Sequence, residues 1–328
     1  MPHPDRAYGA LLGTAVGDAL GVPYEFSRRL SPDEKPEMTG GGLGGYEPGE
    51  WSDDTTMAVA IALAVADGHD LTSETGLDAV AREFLRWYRD FNGSPPDIGN
   101  QTRAVLAATD RRLRTDPDAN VGAIMREESL VFAADHPRSA GNGALMRTAP
   151  VVLAHPDDRD TLARAARVVA GLTHSDALAG DSCVLWCEAI RVAITEERID
   201  VGAGLDLIPA TRRDQWSSWI DETTTASPDR FSPNGFTVSA LQAATAAIMQ
   251  TTTDDPTTHL TEALYAAIRI GDDTDTVAAI AGGLLGARWG ASAIPEHYRR
   301  AVHGWPFVDS RPTDADDLLR LSTETVTR

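Results

Sequence analysis

Carboxylates and hydroxyls are concentrated at two places where a polar stretch gives way to an uncharged one. Residues 52–56 carry Asp53 and Asp54, and residues 57–66 after them contain no charge. Residues 271–276 carry three aspartates and two threonines, and residues 277–287 are again uncharged. A long uncharged helix is typical of a protein interior, so the acids at each start are expected to be buried. Buried carboxylates need hydrogen bonds, opposite charges or a metal ion.

Helix capping is the simpler explanation for either stretch alone. Asp, Ser and Thr are favoured N-caps, and acids there complement the helix dipole. One cap needs only one side-chain acceptor, however, and each stretch offers several. If the two helix starts meet, about five carboxylates converge, and cations must offset their repulsion. Oxygen ligands without His or Cys select Mg²⁺, Mn²⁺ or Ca²⁺, and so many carboxylates suit two ions better than one.

Composition excludes several classes of protein. The 328 residues have a net charge of -20, which would repel nucleic acid. Cys183 and Cys187 stand four apart in an apolar helical pattern, a poor geometry for a disulfide, so we expect a reduced, cytoplasmic chain. The first residues lack the apolar segment of a signal peptide, and no uncharged run reaches the ~20 residues of a membrane span.

The segment before the first acidic stretch contains a glycine repeat and a glycine-rich loop. Glycines at positions 9, 13, 17 and 21 form a smooth stripe on a helix that another backbone can approach closely, Pro23 ends this helix, and Glu25 follows. Residues 40–45 formally match a dinucleotide-binding fingerprint, but no strand precedes them and no helix follows. We predict a mobile flap there, and a plain flexible linker is the alternative.

Helical periodicity extends through nearly every other segment, including a predicted helix over residues 205–220, and no run alternates with a period of two. The prediction is an all-α fold, a single compact multi-helix domain over residues 1–328 with its motifs between about residues 8 and 290.

Six stretches of the chain occur in the order found in the ADP-ribosylglycohydrolase family, which the chain therefore resembles; the family includes the dinitrogenase reductase-activating glycohydrolase. Each stretch alone is a weak signal, and the ordered set is a specific one. The stretches are residues 13–21 with Glu25, residues 51–55, residues 97–99, residues 141–143 with Met146 and Arg147, Thr173 with His174, and residues 271–276.

The resemblance implies an all-α domain with two divalent cations, Mg²⁺ or Mn²⁺, that removes ADP-ribose from a modified acceptor. Glu25, on a mobile segment, and Asp54 are the candidates for acid and base chemistry. Asp275 would bridge the two ions. The implied metal ligands are Ser52, Asp53, Asp54, Asp273, Asp275 and Thr276.

The resemblance also implies substrate contacts. Asn142 and Gly143 match a phosphate-binding turn, and Asp97 with Gly99 would face the acceptor, where a carboxylate can pair with a guanidinium. His174 would contact ADP-ribose; without the resemblance it would be interpreted as a helix-capping or structural residue.

Two departures from the family pattern bear on these predictions. Asp272 stands where the family often has glycine, so this acid either lies outside the metal shell or alters metal preference. Residues 100–102 also differ slightly from the usual sequence, which affects the preference for an acceptor.

The predicted function is hydrolysis of the bond between ADP-ribose and protein arginine, with an ADP-ribosylated protein or ADP-ribose conjugate as partner and a monomeric enzyme. The alternatives are a hydrolase of serine- or nucleotide-linked ADP-ribose, a non-catalytic ADP-ribose-binding module, and a two-metal hydrolase of phosphate esters.

Overall fold

Helices make up most of the computed structural model, which describes residues 4–326. The α-helices in chain order are Pro4–Gly21 (α1), Asp53–Ala66 (α2), Glu74–Asp90 (α3), Asn100–Leu113 (α4), Val121–Asp135 (α5), Ala149–Ala154 (α6), Arg159–Ala170 (α7), Ala177–Glu196 (α8), Ala210–Glu222 (α9), Thr237–Gln250 (α10), Pro256–Ile270 (α11), Thr274–Trp289 (α12), Glu296–Ala301 (α13) and Ala315–Val326 (α14). His303–Val308 (β1) and Arg311–Asp314 (β2) form an antiparallel hairpin. The all-α prediction is confirmed.

Helices α1 and α12 pack backbone to backbone along the predicted glycine stripe. A Cβ atom on Gly9, Gly13 or Gly17 would lie 2.0–2.2 Å from a carbonyl oxygen of α12, so these positions exclude any side chain. At the end of the stripe, a Cβ on Gly21 would lie 2.4 Å from the Cα of Asp275. The Thr274 hydroxyl also donates to the Gly21 carbonyl at 2.8 Å. The stripe therefore sets the acidic start of α12 against the end of α1.

Helix α2 is buried along almost its whole length, and only Leu63 is partly exposed. Helix α8 packs on α12 from another side, where the Trp186 indole donates to the Ile280 carbonyl at 3.2 Å. One cluster of buried apolar side chains extends from α1 to α14. Burying uncharged helices on several sides in this way draws their polar first turns into the interior.

Two segments differ from the sequence prediction. A single helix over residues 205–220 is wrong, because the chain forms a 3₁₀ helix over Val201–Leu207 and α9 begins only at Ala210. Pro209 lacks an N–H and pushes Ile208 into an extended conformation, which separates the two helices. The hairpin was not predicted, because Pro306 and Pro312 interrupt the alternation and the pairing register shifts within β1.

Cys183 and Cys187 are both buried free thiols, as expected. Among the helices over residues 4–326, none combines the length and apolar character needed to cross a membrane.

Candidate metal and ADP-ribose site

The start of α2 is capped by a residue from another helix. The Ser52 hydroxyl does not cap its own helix and donates instead to Asp54 Oδ2 at 3.0 Å. The carboxylate of Asp18, on α1, accepts from the backbone N–H groups of Ser52 and Thr55, both at 2.9 Å. Because Asp18 satisfies the helix end, Asp53 and Asp54 are not required as caps. Two carboxylates at one helix start thus remain available for another role.

The start of α12 is held by two asparagines. Asn234 accepts from the Asp273 N–H at 3.0 Å and donates to the Gly271 carbonyl at 3.1 Å. Asn142 Nδ2 donates to Asp273 Oδ2 at 2.8 Å and to the Asn234 carbonyl at 3.1 Å. Its backbone N–H donates to Gly235. The polar hydrogens of Asn142 are therefore used within the protein, where they fix the Asp273 carboxylate.

The two helix starts meet, as the sequence predicted. Asp18, Asp54 and Asp275 each bring a carboxylate oxygen within 4.8 Å of the others. Glu25, Asp273 and Asp275 do the same. Asp275 belongs to both groups, so it is placed between them.

Mutual repulsion and loss of water make this cluster unfavourable as a set of bare anions. Burial, with the Asp275 and Asp97 carboxylates nearby, raises the pKa of Glu25 to about 12. Burial followed by the Asp54 and Asp273 charges raises the pKa of Asp275 well above its usual range. Burial, followed by the charge of Asp97, likewise raises the pKa of Asp53 well above its usual range. Such groups either keep protons or share cations.

A cavity of about 570 Å³ opens beside this cluster. It is lined by most of the residues that the sequence singled out, namely Glu25, Asp53, Asp97, Gly99, Asn142, Gly143, His174, Asp273, Asp275 and Thr276. Ser52 and Asp54 are buried, at 1% and 0% exposure, and are not among the lining residues.

The turn over residues 141–143 and the ring of His174 form one wall of the cavity. A Cβ on Gly141 or on Gly143 would lie 3.3 Å from His174 Nε2, so both glycines allow the imidazole to approach the turn. His174 is 3% exposed, and its Nδ1 lies 2.8 Å from the Thr173 hydroxyl. His174 does not cap the following helix, because Asp176 accepts from Leu178 there.

Asp272 is held by a loop residue and belongs to neither of the two carboxylate groups. Its side chain accepts from the Ser232 hydroxyl, and its backbone has a φ of 61°, a conformation that favours glycine. Its carbonyl accepts from the Phe26 N–H at 2.7 Å, which ties the segment after Glu25 to the start of α12. From the glycine-rich loop, Leu43 reaches the cavity lining with 62% exposure. The mobility of that loop stays a prediction.

The oxygen atoms present fit hard divalent cations. Glu25 Oε2, Asp54 Oδ1 and Asp97 Oδ2 are buried and accept no hydrogen bond from residues 4–326. Unpaired buried carboxylate oxygens are costly, and Mg²⁺ or Mn²⁺ satisfies them with the ligand type it prefers. The donor set around Asp275 is therefore suited to hold metal.

Comparison with known proteins decides the family. The model of the ADP-ribosylglycohydrolase family matches residues 2–327. The chain belongs to this family. It is therefore a hydrolase of glycosidic bonds to ADP-ribose. An ADP-ribosylarginine hydrolase Tri1 from Pseudomonas putida (strain GB-1) is 31% identical over 308 residues, covering 91% of this chain and 74% of the relative.

Two further comparisons agree. The ADP-ribosyl-[dinitrogen reductase] glycohydrolase of Rhodospirillum rubrum is 28% identical, covering 89% of this chain and 88% of the relative. A solved structure described as an ADP-ribosylglycohydrolase-related protein complex superposes with a TM-score of 0.69 at 27% identity, covering 99% of this chain and 98% of that one.

Sequence reasoning missed two residues that build the site. Asp18 carried a usable signal, because it is the only charged residue between Arg6 and Glu25 and stands within the glycine stripe. Asn234 lies in a loop between α9 and α10, and nothing in its local sequence indicates that it holds a helix 39 residues further along the chain.

Proposed function

We propose that this chain hydrolyses the bond between ADP-ribose and an arginine side chain, with two divalent cations, Mg²⁺ or Mn²⁺, at the acidic cluster. The observation that carries the proposal is the meeting of two carboxylate groups at Asp275, within 4.8 Å in each group. Relatives named ADP-ribosylarginine hydrolase, from Pseudomonas putida and Serratia proteamaculans, support arginine as the acceptor. The monomeric state and the cytoplasmic location stay predictions.

The proposed metal ligands divide between the two helix starts. Ser52, Asp53 and Asp54 contribute from α2; Asp273, Asp275 and Thr276 contribute from α12. When bound, the cations would supply Lewis acidity and offset the repulsion between the carboxylates. Asp18 and Asn234 hold the two helix starts in place.

The acceptor side of the cavity is assigned to Asp97. Its Oδ2 is buried and accepts no hydrogen bond at normal distance from the residues that the structure describes, its carboxyl group lies near that of Glu25, and the side chain lines the cavity. A guanidinium pairs with a carboxylate through two parallel hydrogen bonds, so Asp97 is suited to orient the modified arginine. Gly99 beside it leaves open space, since a Cβ there would contact nothing within 4 Å.

The residues near the anomeric carbon would manage charge and protons. As the bond to arginine breaks, positive charge develops on the ribose, and the surrounding carboxylates stabilise it. Water forms the new C–O bond, and the departing guanidine gains a proton. Glu25 lines the cavity, has a raised pKa and can hold that proton. The fully buried Asp54 is the other candidate.

The diphosphate end of ADP-ribose is assigned to the wall formed by Gly143 and His174. The side-chain amide of Asn142 donates to the Asp273 carboxylate, so Asn142 contributes by fixing Asp273 beside this wall.

A panel of matched conjugates tests the proposal. ADP-ribose linked to arginine, to serine and to a nucleotide is incubated with the protein in Mg²⁺, Mn²⁺ or chelator, and free ADP-ribose is measured. We expect metal-dependent release from arginine, lost in Asp275→Asn and retained in Asp272→Asn. Release from the other linkages alone would overturn the arginine assignment. ADP-ribose binding without release would indicate a binding module, and turnover of generic phosphate esters alone would indicate a different hydrolase.

A further inference from the structure

Arg147 is a buried cation that the site described above does not use. It is 0% exposed, and no carboxylate among residues 4–326 lies within ion-pair distance of it, although the more distant charge of Asp53 acts against the effect of burial on its pKa. Its guanidinium lies 4.6 Å from the ring centroid of Phe84, and Nη1 contacts Met57 Sδ at 3.3 Å. Burial lowers its pKa to about 10, so it remains charged near neutral pH. A buried guanidinium with no described carboxylate in direct contact is costly, which points to a role for it.

The polar neighbour of Arg147 is the hydroxyl of Thr173. Arg147 Nη2 donates to Thr173 Oγ1 at 2.7 Å, and the same oxygen lies 2.8 Å from His174 Nδ1. A guanidinium can only donate, so the hydroxyl oxygen must accept from it. The single hydroxyl hydrogen of Thr173 is then left for His174. If Nδ1 carried a proton instead, the Thr173 oxygen could accept from it as well, but the hydroxyl hydrogen of Thr173 would then have no acceptor among residues 4–326 in a fully buried position.

The contact at Nδ1 also determines whether Nε2, the other nitrogen of the ring, carries a proton. Burial, assisted by the Arg147 charge, lowers the pKa of His174 to about 3, so the ring is neutral near pH 7. A neutral imidazole whose Nδ1 accepts a hydrogen bond must carry its proton on Nε2. Nε2 lies against the turn of residues 141–143 and has no hydrogen-bond partner within residues 4–326.

We propose that Arg147, through the Thr173 hydroxyl, fixes His174 in the Nε2–H tautomer, so that the ring donates a hydrogen bond to an oxygen of the bound ligand. Arg147 and Thr173 are thus positioning residues, and His174 is the residue that touches substrate. The choice of ligand oxygen, on the diphosphate or the adjoining ribose, rests on the proposed function. The tautomer does not, because it follows from contacts within the protein.

The tautomer is read directly from long-range ¹H–¹⁵N correlations in ligand-free protein labelled at histidine. The chain has 8 histidines, so the His174→Ala spectrum identifies the signal. We expect the wild-type protein to show the neutral Nε2–H pattern from pH 8 down to pH 5. An Nδ1–H pattern, or protonation of the ring near pH 6, would overturn the proposal.

A threonine series tests the relay. Thr173→Val removes the hydroxyl while preserving the shape, and Thr173→Ser restores it. Thr109→Val is the matched control, because Thr109 is also fully buried and its hydroxyl donates only to the Val105 carbonyl of its own helix at 2.8 Å. We expect Thr173→Val to show mixed tautomers and about tenfold weaker binding of ADP-ribose by calorimetry. Thr173→Ser and Thr109→Val should match the wild type.

The outcomes separate this proposal from the proposed function. A Thr173→Val protein with the wild-type tautomer and affinity would contradict the relay even if the enzyme hydrolyses its substrate. An Nε2–H tautomer that depends on Thr173, in a protein that never releases ADP-ribose, would support the relay and contradict the function. If Arg147→Met folds, it should reproduce the Thr173→Val spectrum; the wild-type spectrum in that variant would remove Arg147 from the relay.

Discussion

Replacing Gly17 by alanine tests whether the contact between α1 and α12 builds the active centre. Gly17 precedes Asp18, the residue that caps α2, and faces Ala278 on α12. An added Cβ would lie 2.0 Å from the Ala278 carbonyl oxygen and 2.5 Å from its carbon, whereas ordinary contact begins at 3.4 Å. Both obstacles are backbone atoms, so no side-chain rotation relieves the clash, and the helices must separate by more than an ångström.

Two opposing effects set the size of the change. Overpacking against backbone costs about 3 kcal/mol of unfolding free energy, while alanine in a helix gains about 1 kcal/mol over glycine. The net loss should be about 2 kcal/mol. A shift of an ångström at Asp18 and Asp275 should also lower kcat/KM for ADP-ribosylarginine by about 100-fold.

Urea unfolding, activity assays and Mn²⁺ titration measure these effects. Gly171→Ala is the control, because Gly171 follows α7 with an ordinary helical φ of -62° and its Cβ would meet nothing closer than 3.4 Å. We expect that control to be neutral or stabilised by up to about 1 kcal/mol. If Gly17→Ala matched the wild type in stability and Mn²⁺ affinity, the reasoning about the glycine stripe would be refuted.

Three further predictions concern individual carboxylates. Burial raises the pKa of Asp18 to about 6, so in chelator this group should raise the unfolding free energy by about 2 kcal/mol as the pH falls from 7 to 4. A slope that Mn²⁺ leaves unchanged would contradict this. Asp97→Asn should lower kcat/KM for ADP-ribosylarginine by about 10- to 100-fold, while calorimetry should show an unchanged affinity for ADP-ribose. Equal losses in both quantities would indicate that Asp97 contacts ADP-ribose and not the acceptor. Asp272→Gly should keep Mn²⁺ affinity within about twofold and the free energy of unfolding within about 1 kcal/mol. Glycine adopts the φ of 61° without strain, and this gain offsets the lost hydrogen bond to Ser232. A large loss of Mn²⁺ affinity would make Asp272 a ligand.

Local chemistry accounts for what could be predicted from sequence. The uncharged stretches after Asp54 and Thr276 predicted buried helices, and their acidic starts predicted a shared site. The glycine spacing predicted close packing by α1. Each inference depends on residues near one another in the chain, where helical spacing decides which side chains share a face.

The rest depends on contacts between distant segments. Asp18 was visible as an isolated acid, but its role as a cap for α2 appears only when α1 and α2 are placed together. Asn234 acts on Asp273 from a loop. The orientation of Asp272 toward Ser232 follows from a positive φ that spacing does not reveal. The proposed relay from Arg147 to His174 likewise joins two sequence motifs. The sequence identified each motif but did not indicate that they are in contact.

Direct metal binding tests the central claim that the two helix starts form one two-cation centre. Calorimetry and Mn²⁺ electron paramagnetic resonance on the chelator-treated protein would count the ions and their affinities. We predict two Mn²⁺ per chain, a loss of at least tenfold in affinity in Asp53→Asn and in Asp275→Asn, and an unchanged titration in Asp272→Asn. Wild-type protein that binds no Mn²⁺ at millimolar concentration, or that binds it equally well without Asp275, would contradict the account.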